Sequence, residues 1–173
     1  MKKLLSLALI LMVSATSIFA QTGNAAKGNY KGSGGTPHEV VKGKNVTISY
    51  GRPYKKGRDI FGGLEAYGKV WRTGADEATE ITFDKDVLFG DKKVAAGTYT
   101  LFTIPGKDKW TVILNKELKQ WGAYKYNDKN DVARVTAPVQ VRESVVEQFT
   151  IVINNDQLIL LWDLTSVAIP MKF

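Results

Sequence analysis

Tyr99-Thr100-Leu101-Phe102-Thr103-Ile104, then Pro105-Gly106-Lys107-Asp108, then Trp110-Thr111-Val112-Ile113-Leu114 decide the fold. The first and third segments are rich in β-branched and aromatic residues, which fit a pleated, half-buried surface better than a helix. Tyr99, Leu101 and Thr103 alternate with Thr100, Phe102 and Ile104; Trp110, Val112 and Leu114 alternate with Thr111 and Ile113. That is the two-residue period of strands. Because both sides of each alternation are largely apolar, both faces of these strands are expected to be covered. The segment between them carries turn residues where a hairpin needs them.

Outward from this hairpin the same grammar repeats. Val46, Ile48 and Tyr50 alternate, as do Thr79, Ile81 and Phe83, and Phe149, Ile151 and Ile153. Leu158 to Leu164 and Val167 to Pro170 form two more runs, and Phe89-Gly90-Asp91-Lys92 and Asn154-Asn155-Asp156 read as turns. No stretch of ten residues has helical periodicity; Lys116 to Gln120 is the best candidate for a single turn. About nine short strands with tight turns predict an all-β, single antiparallel β-sandwich.

Upstream the grammar changes. Met1-Lys2-Lys3, an apolar run from Leu4 to Val13 and small polar residues from Ser14 to Ser17 have the order of a secretory signal peptide cleaved after Ala20, although Ile18 stands where a smaller side chain is usual. The apolar run is about half the roughly 20 residues that a spanning helix needs. Residues 21–35 are Gly-rich with little to bury, and are expected to be a flexible linker. Residues 36–173 then form the sandwich domain. The expected location is periplasmic or secreted, with no stable membrane insertion after cleavage.

Composition excludes much. The 173 residues contain no Cys and one His, so disulfides, thiolate chemistry and a multi-histidine metal site within one chain are ruled out. The net charge is +7, of which Lys2 and Lys3 would leave with the signal. The rest is mainly scattered Lys, interleaved with acids, so no nucleic-acid partner is expected. Asn127-Asp128-Lys129-Asn130-Asp131 gathers oxygen ligands but lacks the Gly and distal Glu of a calcium loop. No metal and no cofactor is expected.

One region breaks the pattern. Gly51 to Ala78 holds 28 residues between two strands, and loops this long are often functional. It carries Arg52, Arg58 and Arg72, three of only five arginines against nineteen lysines. Arg offers a planar fork that grips a carboxylate or phosphate through two parallel bonds, which Lys does not. The candidate ligand-binding set is therefore Arg52, Arg58, Trp71, Arg72, Asp76, Glu77 and Thr79, with Arg as donors, the acids as counter-charges and Trp71 as an apolar wall. The competing reading is structural: Arg72 with Glu77, or Arg58 with Asp59 or Asp76, paired internally to pin the loop. Glu77 and His38 are the weak catalytic candidates. His38 stands at the domain's start, and no nucleophile elbow accompanies it.

The same region carries a resemblance. Tyr50-Gly51-Arg52-Pro53, Lys56-Gly57-Arg58-Asp59-Ile60-Phe61-Gly62-Gly63-Leu64 and Tyr67-Gly68-Lys69-Val70-Trp71-Arg72-Thr73-Gly74-Ala75-Asp76-Glu77-Ala78-Thr79 are similar to the signature of the domain-of-unknown-function family 2911, common in exported proteins of Bacteroidetes. Ala96 to Gly106, Trp110 to Asn115 and Trp121-Gly122 resemble its later blocks. The resemblance implies an all-β exported domain and no particular reaction. That family usually carries Asn where this chain has Asp76; an amide can donate and accept, whereas a carboxylate only accepts.

Three functions are compatible with these residues. The first is a non-catalytic binding module that uses the Arg-rich loop for a small anion, sugar or peptide terminus. The second is a hydrolase of an envelope or polysaccharide substrate, with Glu77 as acid or base. The third is a structural or assembly protein that binds another envelope protein.

Overall fold

The structure, a computed structural model, describes residues 35–154 and 156–173. The expected signal peptide and nearly all of the expected linker lie outside the described residues. Nine strands follow one another: β1 (His38–Lys42), β2 (Val46–Gly51), β3 (Glu80–Phe83), β4 (Val87–Phe89), β5 (Lys92–Val94), β6 (Gly97–Ile104), β7 (Lys109–Asn115), β8 (Asp131–Asn154) and β9 (Gln157–Lys172). Every pairing is antiparallel, in the order β1-β2-β3-β6-β7-β8-β9-β4-β5. The all-β expectation holds.

The membership differs from expectation in three places. His38–Lys42 is a strand that the alternation did not mark. The runs on either side of Ser166 are one strand, β9. Phe149–Ile153 is only the end of β8, a strand of 24 residues. The single helical turn expected at Lys116–Gln120 is absent. Lys119 there has a φ of 56°, and Asn115 Oδ1 accepts a hydrogen bond from Glu117 N at 3.0 Å. The one helical element among the described residues is a three-residue 3-10 turn, Asp128–Asn130, capped by Asn127.

β8 makes the sandwich. Its first third, up to Pro138, pairs with β7; from Val139 onward it pairs with β9. The sheet therefore bends along this strand, and its two limbs face one core. Ile48, Ile81, Leu101 and Val112 from one limb pack in the same cluster as Phe89, Leu160, Val167 and Ile169 from the other. The sheet is not closed, but the chain after β2 reaches across the gap. Tyr54 bridges to Gln148, and Phe149 N donates to Pro53 O at 2.9 Å.

The outer face of β6 and β7 is covered as well. Phe102 and Ile113 point away from the main core and form a second cluster with Ala78, packed under Val70, Ala123 and Tyr126. The segments 70–78 and 116–127 are thus laid over the same face. This layer positions the candidate site.

Candidate functional site

The segment between β2 and β3 forms no strand of its own and is fixed by isolated bridges. Trp71 pairs with Thr103 on β6, exchanging hydrogen bonds of 2.7 and 2.9 Å. In an extended chain successive side chains face opposite ways, so Trp71 turns into the core and Arg72 away from it. Trp71 is 3% exposed and packs among Phe61, Trp110, Phe149 and Trp162; its Nε1 donates to Gly74 O at 3.1 Å. Thr79 is fully buried, and its hydroxyl donates to Thr73 O at 2.7 Å. Trp71, the expected apolar wall, and Thr79, also expected in the binding set, are therefore interior parts of the loop's foundation. The loop also lies directly on the end of β2: a Cβ on Gly51 would stand 2.2 Å from Ala75 O, so only glycine fits there.

Arg52 is absorbed structurally. Nη1 meets Glu39 Oε2 at 2.7 Å, Nε donates to Phe149 O at 3.1 Å, and Nη2 donates to Thr150 Oγ1 at 2.9 Å. One guanidinium thus ties β1 to β8 across the open side of the sheet. Tyr50 supports it: its hydroxyl donates to Glu39 Oε2 at 3.3 Å and accepts from Ile151 N at 2.9 Å. Burial pushes that phenol's pKa well up and keeps it neutral.

His38 folds back against the loop. Its Nε2 is 3.1 Å from Glu77 Oε2, and its side chain is 4% exposed. Glu77 is thereby engaged with β1 and does not line the cavity described next.

That cavity, about 440 Å³, opens between the chain's entry to β1 and the loop. Pro37, Pro53, Tyr54, Leu64 and Trp162 supply apolar wall; Lys56, Arg58, Arg72 and Glu65 supply charge. Each charged group has a local cause. Lys56 and Gly57 have φ values of 48° and 70°, a reversal that folds Arg58 back. Arg58 Nε then donates to Lys55 O at 2.9 Å and Nη2 donates to Tyr54 O. Glu65 N donates to Ile60 O at 2.8 Å, and Ile60 is buried, so the 60–65 turn is anchored from beneath. Arg72 Nη1 donates to Asp76 O at 3.2 Å.

Among the described residues, neither Arg58 nor Arg72 forms an ion pair. The expected pairings of Arg72 with Glu77 and of Arg58 with Asp59 or Asp76 do not form. Both guanidiniums are steadied by backbone carbonyls, which leave their charge uncancelled. Glu65 is the acid that senses them. Burial raises its pKa from 4.5 to about 7, against the lowering pull of Arg72 and Arg58. Burial thus favours the neutral carboxyl, which then does not cancel the neighbouring positive charge.

Other acidic places are satisfied internally. Asp131 accepts from Asn115 Nδ2, Tyr126 OH and Arg134 Nη1, at 2.8, 2.7 and 2.7 Å. Asn127 Oδ1 is used by Lys129 N at 3.1 Å. No group of three or more His, Asp or Glu among the described residues is placed to hold a metal.

Residues 34–171 match the family described as protein of unknown function (DUF2911). The chain belongs to that family. No curated protein and no solved structure matches the chain. The matched span contains every residue that lines the Arg58–Arg72 cavity, so the groove is part of the DUF2911 domain itself. Asp76 can also be read in this frame. Its φ is 63°, a left-handed conformation that Asn and Asp tolerate better than most residues. Its Oδ2 accepts from Thr36 N at 3.3 Å, so an acceptor is what this position uses. Either an amide or a carboxylate can supply it.

Sequence reasoning did not put Lys56, Glu65 or Trp162 in the site. Glu65 lay in view as an acid of the Arg-rich loop. Trp162 read as a core residue; it is buried and also forms cavity floor.

Proposed function

We propose that this DUF2911 protein is an exported, non-catalytic binding module that takes a small organic anion between Arg58 and Arg72. One observation carries the reading. Two guanidiniums and Lys56 share a groove whose acid, Glu65, has its pKa raised by burial, and among the described residues no carboxylate lies within 4.0 Å of either guanidinium. An arginine fork held by carbonyls is oriented in advance for a planar carboxylate or a phosphate. The apolar walls suit a ligand with a carbon body. Export to the periplasm or medium rests on the signal-peptide order of residues 1–20, and a Bacteroidetes-type cell on the family resemblance alone.

A hydrolase centred on Glu77 is less well supported, because Glu77 faces His38 rather than the groove. The test is a thermal-shift screen of carboxylates and phosphates against the wild-type protein and Arg58→Ala/Arg72→Ala. Stabilisation of the wild type alone is expected. Equal stabilisation of both, or of neither by any anion, would remove the groove as the site.

A further inference from the structure

Beyond the groove, Arg72 has a second neighbourhood. Trp121 and Tyr124 are 49% and 83% exposed, large areas of aromatic surface for a polar protein to leave in water. They sit on the 121–124 turn, and that turn is bound to the same backbone oxygen as Arg72. Gly122 N donates to Asp76 O at 3.0 Å, and Arg72 Nη1 donates to it at 3.2 Å. The approach is close. A Cβ on Gly122, whose φ is 68°, would lie 2.7 Å from Tyr124 Cε2 and 3.3 Å from Arg72 Nη1. Ring and guanidinium therefore flank one glycine backbone. Tyr54, also exposed, forms groove wall beside Arg58. Aromatic surface thus borders each of the two guanidiniums.

We propose that the ligand is an acidic oligosaccharide. A uronate carboxylate sits between Arg58 and Arg72, and a neighbouring sugar stacks on the Trp121–Tyr124 turn. This inference rests on the anion-binding reading and extends it. A pyranose ring has a face of C–H bonds that carry partial positive charge, and the face of an aromatic ring carries the complementary negative quadrupole. Its hydroxyls remain in water or meet the rim. A planar carboxylate matches the arginine fork.

A single-stranded nucleic acid also uses aromatic and basic surface, but it needs a continuous positive track along its phosphates. Here the track is interrupted by Glu65 inside the groove. Asp76 and Glu77 also lie in the chain between Arg72 and the aromatic turn.

Titration calorimetry with galacturonate, its tetramer, a neutral glucose tetramer and an oligothymidylate tests the proposal. The galacturonate tetramer is expected to bind at least about tenfold more tightly than the monomer. The glucose tetramer and oligothymidylate are expected to bind much more weakly. Trp121→Ala/Tyr124→Ala should reduce tetramer affinity to that of the monomer, while Val141→Ala, on exposed β8 surface, leaves it unchanged. Arg58→Ala/Arg72→Ala should abolish binding of both acids.

If monomer and tetramer bind alike, and only the arginine variant weakens them, the anion site stands and the oligosaccharide inference falls. Equal binding of the glucose tetramer or of oligothymidylate overturns it too. So does failure of both galacturonates where another anion stabilises the protein.

Discussion

His38 Nε2 lies 3.1 Å from Glu77 Oε2, while Nδ1 lies 3.0 Å from the carbonyl oxygen of Thr36. A carbonyl only accepts, so Nδ1 carries a hydrogen. Nε2 faces the Glu77 carboxylate at ion-pair distance. The contact joins the start of β1 to the loop that presents Arg72, and it reads as a clasp rather than a catalytic dyad. His38→Ala and Glu77→Ala should each lower stability by about 1–3 kcal/mol in urea denaturation. The double variant should lose less than the sum of the two. Strict additivity would mean that the pair is not coupled.

Arg52 and Arg58, six residues apart, should behave oppositely. Arg52 bonds to Glu39, Phe149 and Thr150. Its replacement by Ala removes charge-assisted bonds and leaves the Glu39 carboxylate with the Tyr50 hydroxyl and no cation, a loss of about 2–4 kcal/mol. Arg58→Ala should cost less than about 1 kcal/mol, yet remove ligand-induced stabilisation. Melting curves with and without ligand separate the two behaviours.

Glu65 gives stability a pH dependence of defined sign. Its folded-state pKa is raised to about 7 by burial, so the native state holds the proton more tightly than the unfolded chain does. Its contribution is most favourable below about pH 4.5, declines as pH rises and is fully lost above about pH 7. The span is on the order of 1–3 kcal/mol once solvent screening is allowed for. Glu65→Gln should flatten stability between those limits. In the wild type, affinity for an anion should rise as pH falls through 7, and in Glu65→Gln it should not. Parallel titrations of the two proteins that showed the same pH profile would exclude the role.

The two loop-borne tryptophans make a further contrast. Trp71 sits at the centre of an aromatic cluster, stacked on Trp162 with ring centroids 5.7 Å apart. Trp71→Ala should cost about 3–5 kcal/mol by leaving a cavity. Trp121→Ala should cost less than about 0.5 kcal/mol. Chemical denaturation of the two variants measures both.

What the sequence made legible followed from local rules, and what it hid followed from long-range ones. β6 and β7 were plain because their residues alternate without interruption. The first part of β8 was not, although Ala133, Val135 and Ala137 are its buried positions. Ala is a weak strand former and Pro138 interrupts the run. β9 read as two strands because polar Thr165 and Ser166 part its two apolar runs.

The scarcity of Arg singled out the 51–78 loop. It could not separate Arg52 from Arg58, because that difference lies in Phe149 and Thr150, nearly a hundred residues further on. For the same reason Trp71 and Thr79 were expected to face a ligand. The pairing of Trp71 with Thr103 turns Trp71 inward, and hydrogen bonds to Arg72, Thr73 and Leu101 fix Thr79.

β8 belongs to both limbs of the sandwich, and Arg52 closes the open side against that same strand. Neither limb therefore has a seam along which it could separate. Peeling β9 away uncovers the core under β7, and losing β7 leaves β8 without its first partner. Such a chain is expected to melt as one unit. Its folding waits on pairings distant in sequence and is expected to be slow, and the folded sheet holds the groove between Arg58 and Arg72 in one register.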